Sequence, residues 1–319
     1  MAVAPTAPTR APAPGTVLGA AAHEGLRAPM HAPTRRATPL AATRAAVILA
    51  VPGERPVAVV SADAVRLPGS MVLGAPSGHL GLAAFGPGTP AWIGDGRVQV
   101  GDLVVRPTRW WRSRTPHRAT AATLATSLAQ LTKVMEPVGH EPRLTARLEA
   151  GQHELAAAVL AALDPARRPS VGGSAVAAAA LERTRAAAVG LLGLGPGLTP
   201  SGDDMTSGTL IAVRRLMPST ADEIAAIGSA IATLALSRTS PVSAALLSWA
   251  GLGEGVPELL AFVDGLGTGS DPAPALAALA RVGHTSGRDL AQGAVAGARI
   301  VLELLRPSPE TAELVINPA

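Results

Sequence analysis

Residues 46–60 read AVILAVPGERPVAVV. Two short apolar runs, Ala46–Val51 and Val57–Val60, flank Pro52-Gly53, a pair that turns the chain. This is the pattern of strand, turn and strand, and it continues downstream. Met71–Leu73, Leu80–Phe85, Val98–Val100 and Leu103–Val105 are parted by Pro68-Gly69, Pro76-Ser77-Gly78 and Gly86-Pro87-Gly88. Gly94-Asp95-Gly96 and Gly101-Asp102 have the composition of hairpin turns. Residues 41–115 are therefore expected to form a small β-rich domain of antiparallel strands. Trp110-Trp111, among Arg109, Arg112 and Arg114, ends it. One indole is expected to pack at the junction with the next domain.

Upstream, residues 1–40 are rich in Ala, Pro, Thr and Arg. Repeated prolines oppose both helix and sheet, so a mobile tail is expected, with a first strand near Thr16–Ala22. Downstream of residue 116 the apolar period lengthens. Leu124, Leu128, Leu131 and Met135 recur at helical spacing, as do Leu144, Leu148, Leu155 and Val159 after Pro142. Helices also fit 175–190, 202–217, 221–237, 242–249, 256–266, 274–282 and 288–305. The expected fold is α+β: a small antiparallel β domain on the N-terminal side, packed on a larger α-helical domain over 116–319.

Composition narrows the function. The 319 residues are 48% hydrophobic but only 2% aromatic, which calls for a core of small and branched aliphatic side chains. The isoelectric point near 10.9 reflects a chain with one Lys, Lys133, and neither Tyr nor Cys. Formal charge is only +4, and residues 1–44, with five Arg against Glu24, account for all of it. No basic face is concentrated on a folded domain, so nucleic acid is not an expected partner. Absent cysteine excludes disulfides, thiolate zinc sites and a Cys nucleophile. No stretch reads as a membrane span or a secretory signal, and a cytoplasmic location is expected.

The most distinctive polar segment is Gly193–Gly208, GLGPGLTPSGDDMTSG. Its glycines and prolines cannot continue a helix, and the next helix starts near Ser201 or Gly202. A turn rich in Gly195, Gly197 and Thr199 before a helix N-terminus is suited to anions. Nucleotide motifs fail here: Pro200 replaces a fingerprint glycine, and Asp203 stands where a phosphate loop needs Lys. The pair Asp203-Asp204 suits instead an Mg²⁺-bound anion or a ligand with N–H donors, such as a carbamoyl or amide group.

The segment has an echo. Ser201–Gly208 and Ser286–Gly293 both read S-G-x-D-x-x-x-G, eighty-five residues apart. Asp and Gly four apart share one helix face, and the Gly permits close helix approach. Facing turns would bring Asp203 and Asp204 toward Thr285, Ser286, Gly287, Arg288 and Asp289, with His284 just outside. The competing explanation is ordinary helix capping: Ser201…Asp204, Ser286…Asp289 and Thr220…Glu223 all satisfy the capping-box pattern. A third polar helix start, Arg238-Thr239-Ser240-Pro241, can bind an anion through Arg238 or serve only as helix-start chemistry.

Other motifs fail. Glu149 and His153-Glu154 resemble a zinc-protease helix, but Ala157 replaces the second His. His79, His117 and His140 sit in loops without metal spacing. Gly172-Gly173-Ser174-Ala175-Val176 lacks the last glycine of a nucleophile elbow.

GLGPGLTPSGDD, with TSPVSAALLSWAGLG (239–253) and GHTSGRDLAQG (283–293), resembles the family of AllH, a subunit of the bacterial oxamate carbamoyltransferase. The resemblance covers about 175–305 and only loosely the β region. The chain departs from it at Met205, where the family often carries an aromatic, and in its Arg/Pro tail. The resemblance implies a multi-subunit enzyme that splits oxalurate into oxamate and carbamoyl phosphate in ureide or allantoin nitrogen catabolism, beside acyl-CoA-synthetase-like partners. On that expectation Gly195, Gly197, Thr199, Ser201 and Gly202 line the carbamoyl or anion pocket, with Thr239, Ser240, Thr285, Ser286 and Gly287 around it. Asp203 and Asp204 accept carbamoyl N–H groups or hold Mg²⁺. Asp289 joins them as a catalytic carboxylate, Arg288 or Arg238 grips carboxylate or phosphate, and His284 moves a proton. Two alternatives stay open: a non-catalytic ligand-binding or assembly subunit, and an independent Mg²⁺-dependent small-molecule enzyme.

Overall fold

A computed structural model describes residues 15–115, 118–164 and 173–306, with side chains omitted for 173–177. Residues 1–14 of the expected tail, His117, Gly172 and the Ser174 side chain lie outside that description. The chain divides into two compact units, 1–114 and 115–319.

The first unit is a closed barrel of eight strands: β1 (Thr16–His23), β2 (Arg35–Ala42), β3 (Ala46–Ala50), β4 (Val57–Val60), β5 (Ser70–Leu73), β6 (Ala91–Gly94), β7 (Arg97–Val100) and β8 (Leu103–Trp111). Around the barrel the order is β1-β5-β4-β3-β2-β6-β7-β8. This corrects the expected antiparallel β domain, although the composition is still mixed α+β. Two junctions are parallel. β1 lies along β8, with Val17 opposite Val104, and β4 lies along β5, with Val59 opposite Met71. Residues 61–69 cross over rather than turn back, which is what a parallel neighbour requires. The run Leu80–Phe85 forms no strand; it coils through short 3-10 turns at Ser77–His79 and Leu82–Ala84.

The turn chemistry behaves as its composition dictates. Gly94 pairs with Arg97, and both intervening residues, Asp95 (φ 46°) and Gly96 (φ 72°), take the left-handed conformation of a tight hairpin. The barrel core is aliphatic: Ala20, Ala22, Leu49, Val57, Val59, Met71, Ile93, Val98 and Val105 are all buried. Trp110 and Trp111 stack with groups of this same unit. Arg27, on the short helix α1 (Arg27–His31), lies 4.5 Å above Trp110, and Arg66 lies 5.3 Å above Trp111.

The second unit is helical: α2 (Ala121–Val134), α3 (Pro142–Leu163), α4 (Gly173–Val189), α5 (Ser201–Leu216), α6 (Ala221–Ala235), α7 (Pro241–Ala250), α8 (Pro257–Thr268), α9 (Ala273–Leu279) and α10 (Ser286–Leu304). No helix among the described residues is long and apolar enough to cross a membrane. α5 is the central element, buried at every position except Arg214. A helix surrounded by protein is usually apolar all round, yet α5 opens with Ser201, Asp203, Asp204, Thr206, Ser207 and Thr209 inside. The threonines satisfy themselves on their own helix, Thr206 on the Gly202 carbonyl (2.8 Å) and Thr209 on that of Met205 (2.9 Å). At the far end Arg215 grips Asp264 of α8 with a bidentate pair, Nε to Oδ1 and Nη2 to Oδ2, both at 3.1 Å.

α5 packs on α10 with backbone against backbone. A Cβ on Gly293 would fall on the Met205 carbonyl, and one on Gly208 would fall on that of Leu290. Met205 and Leu290, like Gly208 and Gly293, are equivalent positions of the repeated motif. The contact is therefore reciprocal, a local two-fold relation. Farther along, a Cβ on Gly297 would stand 2.7 Å from the Thr209 carbonyl oxygen. Contacts advance toward the C-terminus on both helices together, so the two run parallel and their N-termini meet at one end.

Candidate active site at the start of two parallel helices

The polypeptide reaches α5 through a turn that only glycine can follow. Gly193 has φ 73° with the Arg238 carbonyl pressed against it. Gly195 has φ 117°, and a Cβ there would stand 2.8 Å from the Ser201 nitrogen. Gly197 also has positive φ, with open space around it.

Helix capping does not explain the acidic residues. The N-cap of α5 is Pro200, whose carbonyl accepts from Asp203 N (2.9 Å) and Asp204 N (3.1 Å). The N-cap of α10 is Thr285. Neither Thr285 nor Thr220, at the start of α6, makes a side-chain cap bond. The three capping boxes read from the sequence are thus not formed. Helix α5 starts one residue too early for Ser201 to cap it, and Asp204 and Asp289 are buried on the seam between the helices instead.

The two aspartates of the GDD turn have different environments. Asp203 Oδ1 accepts from the Gly193 N–H (2.9 Å), and Oδ2 accepts from the Thr239 hydroxyl. Burial raises its pKa, while Thr239, Gly193 and Ser243 pull it back down. Both oxygens are occupied, and Asp203 ties the glycine turn to the start of α7. Ser240 completes that tie, donating to the Leu198 carbonyl while accepting from Ser243 N (3.0 Å) as the α7 cap.

Asp204 is 5% exposed, and its Oδ2 has no hydrogen-bond partner. Burial pushes its pKa well up. The Ser286 hydroxyl opposes this, the charges of Asp289 and Asp203 add to it, and Thr199 opposes it weakly.

The second motif meets the first here. Thr199 Oγ1 and Ser286 Oγ are 2.9 Å apart. Asp289, the counterpart of Asp204, is fully buried; its Oδ1 lies 2.8 Å from His140 Nε2, and its Oδ2 has no partner. The turns thus bring together Thr199, Ser201, Asp203, Asp204, Thr239, Ser286 and Asp289. Gly202 and Gly287 serve the approach: a Cβ would strike the Leu191 and Leu279 carbonyls. Their N–H groups are bonded to Leu194 and Val282 (both 2.9 Å), so neither points at a ligand.

Other sequence candidates are not among these buried groups. His284 and Arg238 are exposed. Arg288 is exposed and lines a cleft of about 260 Å³ with Glu136, Leu276 and Ala280. Glu149 and His153 border a groove of about 620 Å³ between α2, α3, α5 and α10, whose floor includes Met205. Gln152 there donates to Thr209 Oγ1 at 3.0 Å. The histidine that meets a buried carboxyl is His140, on Asp289, and sequence spacing leaves it in a loop.

A divalent metal does not fit the GDD pair. Asp203 has committed both oxygens to protein donors. Among the described residues no group of three or more His, Cys, Asp or Glu is arranged to hold a metal ion. What the seam offers is carboxyl oxygens and hydroxyls at the positive ends of two helices. Two buried acceptor oxygens without protein donors suit a ligand rich in N–H groups.

Residues 191–298, about a third of the chain, match the family model described as oxamate carbamoyltransferase subunit AllH. The match spans the glycine turn, α5 and most of α10, and excludes the barrel and His140. No curated protein and no solved structure matches the chain.

Proposed function

We propose, for a chain that belongs to the AllH family of oxamate carbamoyltransferase subunits through residues 191–298, that the α5–α10 seam is where the carbamoyl group is held and transferred. The observation that carries this reading is Asp204: a buried carboxyl whose Oδ2 has no protein partner, where two helix N-termini meet and burial favours the protonated form.

The carbamoyl NH₂ group donates to the free Oδ2 of Asp289. The Thr199 and Ser286 hydroxyls, at the half-buried mouth, bind phosphate or the oxamate carboxylate. In the direction that forms carbamoyl phosphate, a phosphate oxygen bonds to the carbamoyl carbon of oxalurate. The bond from that carbon to the oxamate nitrogen breaks. Asp204 gives its proton to the departing nitrogen, and its carboxylate then takes the proton that the phosphate hydroxyl releases. The site ends as it began, and no metal enters the step. Asp203 takes no part in the chemistry but fixes the turn that carries Thr199.

The test is a carbamoyl phosphate–oxamate assay on the chain assembled with its partner subunits. A positioned acid of this kind contributes about 10²–10⁴-fold to rate. Asp204→Asn is expected to lose at least about 10²-fold in kcat. A full rate in that variant would overturn the assignment.

A further inference from the structure

The two halves of the seam are related by the repeated motif, yet their surroundings differ. Asp204 faces the hydroxyls of Ser286 and Thr199. Its counterpart Asp289 meets an imidazole, with His140 Nε2 at 2.8 Å. His140 comes from the segment between α2 and α3, outside the part of the chain that matches the family. Its side chain is 9% exposed and that of Asp289 is 0% exposed. Local structure does not require a histidine there. The cap of α3 is the next residue, Glu141, which accepts from Arg143 N and Leu144 N at 3.2 Å.

We infer that His140 is a positioning residue of the site, and that it divides the work between the two carboxyls. This inference rests on the carbamoyl-transfer reading above. An imidazole N–H on Oδ1 locks the Asp289 carboxylate and occupies that oxygen. Oδ2 is left as the single acceptor for a carbamoyl N–H. Asp204 has no such partner and supplies the proton. The pseudo-symmetric pair thereby becomes one fixed acceptor and one acid, and the residue that breaks the symmetry is drawn from outside the repeat.

Three variants in the assembled enzyme test this: His140→Ala, His140→Gln and Asp204→Asn. A small misplacement of a reacting group can cost about 10²-fold in rate. His140→Ala is expected to lose about that much in kcat, with a KM for oxamate within about threefold of wild type. His140→Gln, whose carboxamide also donates, is expected to recover most of the rate. A direct readout guards against misfolding. In the unsubstituted chain labelled with ¹⁵N-histidine, the His140 Nε2 resonance is expected to move when oxamate or carbamoyl phosphate is added. Wild-type kinetics in His140→Ala beside a dead Asp204→Asn would overturn this inference and leave the carbamoyl reading standing. An unmoved His140 resonance at saturating ligand would do the same. Full rate in Asp204→Asn would remove both.

Discussion

A Cβ placed on Gly208 would fall on the carbonyl oxygen of Leu290. Backbone stands on both sides of that contact, so no side-chain rotation relieves it. Gly208→Ala is expected to force α5 and α10 apart at a cost of about 3 kcal/mol. For a unit of this size that corresponds to a melting temperature lower by roughly 10 °C. Gly293→Ala, its reciprocal, is expected to match it. Thermal denaturation followed by circular dichroism checks both, and an unchanged transition would contradict the reciprocal packing.

Asp204 predicts an unusual pH dependence. Its folded-state pKa lies well above the ordinary value of 3.8. The folded state therefore holds its proton more tightly than the unfolded state. Its contribution to stability is fullest below about pH 4 and is lost as the pH rises through the folded pKa. Asp204→Asn carries no such penalty. Urea unfolding is expected to find it more stable than the parent at pH 8, with the gap closing toward pH 4. Such a variant would be firmer and inactive, as expected of a strained functional group.

Asp203 predicts the opposite. Its oxygens hold the Gly193 N–H and the Thr239 hydroxyl. Asp203→Ala leaves both donors unanswered and is expected to cost about 2 kcal/mol. Denaturant midpoints at neutral pH measure this. A variant as stable as the parent would show that the turn does not depend on Asp203.

Thr199→Val keeps the shape of the side chain and removes its hydroxyl. The 2.9 Å bond to Ser286 goes with it, for a net loss of about 1 kcal/mol. The Thr199 hydroxyl also holds the Asp204 pKa down, so its removal should raise that pKa further. The pH at which stability falls is expected to move upward in titrated unfolding curves.

Much of this site was legible in the chain because the steric demand is local. Close backbone approach needs glycine at fixed spacing from the carboxylate, and S-G-x-D-x-x-x-G occurs twice. His140 was not legible, since its partner lies 149 residues away and no spacing links a loop histidine to it. The distinction between Asp203 and Asp204 was equally hidden, because it depends on Thr239 and Ser286 arriving from other helices. In the barrel, the turns at Asp95-Gly96 and Gly101-Asp102 were readable, as were the short apolar runs other than Leu80–Phe85. Which strand neighbours which was not: β1 pairs with β8, whose residues lie more than eighty positions later. Period-two patterning identifies a strand, and it is silent on the direction of its partner.

The ring of strands has a consequence for any shortened form of the protein. β1 and β2 come from the first forty-two residues, and each sits between two other strands. Cutting the chain after residue 42 would not trim an appendage. It would split the ring into two separate three-stranded ribbons, β5-β4-β3 and β6-β7-β8. Four rows of unpaired backbone amides and carbonyls would be laid open, each a template for another copy to zip onto.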